Sequence, residues 1–180
     1  MKRRSLIREI TPTEIKHIRM QLDRVREIGK KAAKSKRRFA DYKYLKAVFA
    51  AFYAFGDANL LPILARVARD EYGVARREGC HPLRTIIDAS ADPKTPLRSR
   101  SRWGRALEWA FDQEVQPDGL MSFLNANHGI AGCARLANMA LPLYRRPREY
   151  AWSDDVPESN GNDQFGDLRV RSFAKRRRTD

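Results

Sequence analysis

Apolar residues along the chain recur at spacings of three and four, and alternation of period two is scarce, so the pattern predicts helices. The first begins at Thr11-Pro12-Thr13-Glu14. Thr11 suits a helix cap, Pro12 the first helical position, and Glu14 the return bond to the cap backbone. Ile15, Ile18, Leu22 and Val25 then form a seam that Gly29 and Ala32 continue weakly, ending near Lys34. A second helix is predicted over about 39–55, with Tyr42, Leu45, Phe49 and Phe52 as its stripe. A third, over about 59–72, turns Leu61, Leu64, Val67 and Ala68 inward. Pro62 is tolerated in its first turn. A short helix over about 82–89 carries Leu83, Ile86 and Ile87, and a loop over 91–101 contains Pro93 and Pro96. Ser101 is the expected cap of the next helix, where Trp103, Ala106, Leu107, Ala110 and Phe111 make one apolar stripe. Short helices over about 120–126 and 130–141 follow the turns Pro117-Asp118-Gly119 and Asn127-His128-Gly129.

The expected fold class is therefore all-α: a compact bundle of about five to six short helices with a basic N-terminal helix and a disordered C-terminal tail. Three segments are expected, namely a basic helical arm (1–38), a helical body (39–150) and a charged tail (151–180). The tail is read as disordered because Ser, Asn, Asp and Gly dominate residues 153–166 and leave almost nothing to bury.

Charge sharpens this picture. The 180 residues carry a formal net charge of +14, and 14 Lys and Arg against 4 Asp and Glu fall within residues 1–40. In the tail Asp154, Asp155, Glu158, Asp163 and Asp167 precede Arg169, Arg171, Lys175, Arg176, Arg177 and Arg178. A balance this basic concentrates polyanions near the surface. The two cysteines make no disulfide framework, and no apolar run reaches the ~18 residues of a membrane span. The N-terminal ten residues are basic and unlike a signal peptide, so a cytoplasmic setting without a membrane partner is the expectation.

These features point to a nucleic-acid-binding protein that contacts phosphates electrostatically, with DNA placed ahead of RNA because no RNA-binding module is recognisable. The expected contacts on the first helix are Lys16, Arg19, Arg26, Lys30, Lys31 and Lys34, followed at once by Lys36, Arg37 and Arg38. A second set, Arg98, Arg100, Arg102 and Arg105, is interleaved with hydroxyls near a helix start, where backbone N–H groups also attract anions. Phe39, Tyr42 and Tyr44 adjoin the basic run, but at helical spacing they are expected to pack inward. The seam Ile15, Ile18, Leu22 and Val25 suits packing on the chain's own body, and a homodimer through it is the alternative. The competing functional reading is a non-enzymatic interaction subunit whose basic helix docks on an acidic protein partner.

A helix-turn-helix with Gly129 in its turn would leave only Arg135 and Asn138 to address base edges, so three packed helices are the preferred reading. Cys80, His81, His128 and Cys133 lack metal-ligand spacing. Asp70-Glu71 sits among Arg66, Arg69 and Arg76, which makes ion pairing its simplest role. No phosphate-cradling glycine loop or nucleophile motif is present. No enzymatic activity, cofactor or metal is expected.

Overall fold

A computed structural model of the chain describes residues 10–35, 39–75 and 80–140. These residues form seven α-helices and no strand: α1 (Pro12–Lys34), α2 (Ala40–Asp57), α3 (Leu61–Tyr72), α4 (Pro82–Ser90), α5 (Leu97–Asp112), α6 (Leu120–Ala126) and α7 (Gly129–Ala140). The all-α class stands, with slightly more helices than expected. The expected tail over 151–180 lies outside the described residues.

The N-terminal cap forms as its residues require. Glu14 N–H donates to Thr11 Oγ1 (3.2 Å), and Thr11 N–H donates to the Glu14 carboxylate (2.9 Å). Behind it Ile18, Leu22 and Val25 are buried in the chain's own core, and Ile15 packs against that core. Most of the seam considered for a homodimer is thus packed within the chain, and Ile15 is only half-buried.

α4 stands at the centre, packed by α1, α2, α3 and α5. Eight of its nine residues are buried, the exception being half-buried Asp88. Its polar groups are bonded inside. His81 Nδ1 accepts the Leu83 N–H (3.2 Å) and caps the helix. The Arg84 guanidinium donates to Asp88 (2.9 Å) and to Ser101 Oγ (2.8 Å). Ser90 Oγ donates to the Ile86 carbonyl (2.6 Å), and the Tyr44 hydroxyl lies 2.9 Å from the same oxygen.

Two glycines face α4, and one of them sets how closely it is approached. A Cβ on Gly29 of α1 would lie 2.9 Å from the Ser90 carbonyl oxygen and 3.0 Å from the Tyr44 ring. On Gly104 of α5 a Cβ would meet Arg84 Cδ at an ordinary 3.5 Å. Farther along, α7 lies against α5, with Gly132, Cys133, Ala134 and Ala137 turned inward. A Cβ on Gly132 would run into the Asn127 carbonyl oxygen of the preceding turn.

The start of α5 corrects the sequence reading. The segment 91–101 is not all loop: the helix begins at Leu97, with Pro96 accepting the Ser99 and Arg100 N–H groups (2.9 and 3.1 Å). Ser101 is inside the helix and receives the buried Arg84 instead of capping it. Pro96 restricts the residue before it and not those after it, so a helix follows it readily.

Gly29→Ala should destabilise the fold by about 1–3 kcal/mol from overpacking, despite a helix-propensity gain of about 0.5–1 kcal/mol. Gly104→Ala should be neutral or stabilising, and urea denaturation of the pair measures both. Burial also pushes the Cys133 thiol from 9.0 up to about 11 and raises the Tyr44 and Tyr72 hydroxyls above 10.0. The folded chain thus keeps protons that the unfolded chain releases first. Stability should be complete below pH 9.0 and fall as pH rises toward 11, seen as a dropping urea midpoint.

Candidate nucleic-acid interface

The exposed cations fall on two surfaces. On α1 the buried face is taken by Ile18, Leu22, Val25 and Gly29, which leaves Lys16, Arg19, Arg24, Lys30, Lys31 and Lys34 exposed on the other. The N-terminal part of that surface is partly neutralised. Arg19 pairs with Glu71 at the end of α3 (3.4 Å). Arg26 lies half-buried over the Tyr72 ring (5.9 Å to its centre). The Tyr72 hydroxyl donates to Asp23 (2.8 Å). Burial and this bond to a carboxylate both raise its pKa. Lys30 pairs with Glu27 (2.6 Å), which holds that carboxyl below its usual range. Lys16, Lys31 and Lys34 make no ion pair among the described residues. Lys36, Arg37 and Arg38 lie outside them.

The second surface runs along α5 from Arg98 to Arg105. Arg98, Arg102 and Arg105 occupy positions i, i+4 and i+7, and all three are exposed. Among the described residues none of them makes an ion pair. α5 carries no acid in its first turn and no base in its last, and its first acid is Glu108. That is the reverse of what a helix dipole favours, which is anions at the N-terminus and cations at the C-terminus. A misplaced charge in the first turn costs about 0.3–1 kcal/mol at an exposed site. Arg98 therefore adds to the positive end of α5 and strengthens its attraction for an anion, and Arg102 and Arg105 extend the positive surface along the helix.

Arg100 does something else. Its Nε donates to the Thr95 carbonyl (3.2 Å), and one Nη donates to the carbonyls of Asp92 (3.1 Å) and Pro93 (3.3 Å). Its guanidinium clasps the α4–α5 loop and turns away from the outer stripe. Alternation of Arg and Ser in the sequence hides this division, which becomes visible once 97–102 is helical.

The two surfaces meet at a cleft of about 440 Å³ between the end of α1, the start of α2, the α4–α5 loop and the start of α5. Lys34 and Lys94 line it together with Asp41, Thr95, Ser99 and Trp103. Small residues on the last turns of α1, Gly29, Ala32 and Ala33, leave the space open. Lys94, Asp41 and the cleft-facing side of Trp103 are absent from the sequence-derived candidates. Lys94 falls in what reads as a plain loop, and Trp103 reads as core because its spacing matches the buried stripe. The Trp103 ring does lean on Tyr44, with centres 5.3 Å apart, yet it also faces the cleft.

No protein-family model matches the chain, and neither a curated protein nor a solved structure is significantly similar to it. The site therefore rests on its own geometry. α7 exposes Arg135, Asn138 and Met139, so the two base-addressing residues of the helix-turn-helix alternative do face solvent. They are flanked there by exposed Ala131 and by Met139. Among the described residues no three His, Cys, Asp or Glu side chains are grouped as metal ligands. No described helix is long and apolar enough to cross a membrane.

Arg100→Ala should cost about 1–3 kcal/mol in urea denaturation, because it removes charged donors from three loop carbonyls. Arg98→Ala, on the same turn but facing outward, should stay within about 0.5 kcal/mol of the unaltered chain.

Proposed function

We propose that this protein binds nucleic acid through phosphate contacts made by Lys31 and Lys34 at the end of α1 and by Arg98, Arg102 and Arg105 on α5. The observation that carries this reading is the exposed arginine stripe on α5, which starts at the helix's positive end. Three exposed guanidiniums there have no carboxylate partner among the described residues, and the first of them, Arg98, sits in the opening turn, where the helix's own dipole disfavours it. An arrangement that costs folding stability is accounted for when an anion occupies it. Arg adds bidentate geometry suited to phosphate oxygens. DNA is the first partner to test, and unrelated sequences should bind alike because such contacts read the backbone and not base sequence.

A second reading has one observation in its favour. Met20 on α1 is 60% exposed and lies in a shallow groove with Pro12, Ile15, Lys16 and Arg19. An apolar residue flanked by cations suits an acidic protein segment as well as a phosphate backbone. Met20→Ala should weaken a protein complex and leave nucleic-acid affinity unchanged, which separates the two readings.

Binding to duplex DNA should weaken steeply between about 50 and about 200 mM salt, with a slope near −0.9 per phosphate contacted. Replacing Arg98, Arg102 and Arg105 together with Ala should make that slope shallower by up to about 3. It should lower affinity alike for unrelated sequences. Fluorescence anisotropy across a salt series measures this, and affinity that stays constant with salt would rule the mechanism out.

A further inference from the structure

We infer that the cleft between α1 and α5 receives a single unpaired nucleobase, so that the protein prefers single-stranded or locally opened nucleic acid to an intact duplex. This rests on the phosphate-contact reading above and names the form of nucleic acid it takes.

Size comes first. At about 440 Å³ the cleft lies within the range of small-ligand sites and has room for one nucleoside. Its lining is the second point. Half-buried Trp103, backed by the buried Tyr44 ring, supplies an aromatic surface, and a base stacks on such a surface whatever its identity. Asp41, at the start of α2, presents a carboxylate that accepts N–H groups from a base edge. Partial loss of solvent at the cleft edge raises the pKa of the otherwise exposed Asp41. The hydroxyls of Thr95 and Ser99 line the same space.

Position is the third point. Lys34 from the end of α1 and Lys94 from the α4–α5 loop line this cleft, and exposed Arg98 and Arg102 follow along α5. A strand whose phosphates follow these cations brings its bases to the opening. Bases held in a duplex are stacked and paired and do not enter, whereas an unpaired base enters without an unstacking cost. The Arg100 clasp on the α4–α5 loop holds Thr95 in place along one wall. The aromatic contact between Trp103 and Tyr44 fixes the other (5.3 Å between ring centres).

The test is anisotropy binding at one ionic strength, using labelled DNA of a single length and mixed sequence as a single strand and as a blunt duplex. A ribo-oligonucleotide of the same sequence is a third arm and assigns the strand as DNA or RNA. The single strand should bind roughly tenfold tighter than the duplex. Trp103→Leu and Asp41→Asn should each erase most of that preference; Trp103→Leu should leave duplex affinity unchanged, and Asp41→Asn, which removes a negative charge from the cleft that Lys34 lines, should not lower it. Thermal melting checks that both variants fold. Asp41 is exposed and keeps the test valid if Trp103→Leu does not fold. In a chain with Trp109→Phe and Trp152→Phe, adenosine monophosphate should quench the fluorescence of Trp103. Equal affinity for strand and duplex, or a preference that survives both variants, would overturn the cleft assignment and leave the phosphate contacts standing. Failure to bind any of the three oligonucleotides would overturn both.

Discussion

A nine-residue helix is too short to hold its own shape in water, since isolated helices below about 12–15 residues are marginal. α4 exists because it is enclosed. Leu83, Ile86 and Ile87 are fully buried, and Thr85 and Ser90 are buried with them. Enclosure removes water from Arg84, Asp88 and Ser90, and a buried polar group without a partner costs about 1–3 kcal/mol. The neighbours therefore supply partners: Ser101 from α5 for Arg84, and Tyr44 from α2 for Ser90. The need to surround one short helix closely fixes where α1, α2, α3 and α5 lie, and α7 then packs on α5.

That requirement also shapes the surface. α1 reaches α4 only at a glycine, because the Ser90 carbonyl and the Tyr44 ring occupy the space a Cβ would need. α5 reaches it where Gly104 lies over Arg84 and Ile87. With both helices held against α4, the end of one comes beside the start of the other, and the cleft lined by Lys34, Lys94 and Trp103 opens between them. Packing in the core thus decides which cations share a site.

The same geometry sorts charges that look alike. Arg19 and Arg26 face the end of α3, where Glu71 and Tyr72 engage them, and Arg100 is drawn to three loop carbonyls. Arg98, Arg102 and Arg105 share a sequence neighbourhood with Arg100 but fall on the outer face of α5. In water the first group is held by partners and the second is available to a polyanion.

The sequence by itself determined the helical class, the capping box at Thr11 and the inward faces of α1, α2 and α3, because these depend on residues three or four apart. It also determined the excess of positive charge in the first forty residues. Only the tertiary structure decided that α5 begins at Leu97 and not at Ser101, since Ser101 serves a buried arginine 17 residues away. It alone separated Arg100 from its neighbours and turned part of Trp103 toward a cleft. Each of these depends on contacts between residues far apart in the chain, and local periodicity carries no information about them.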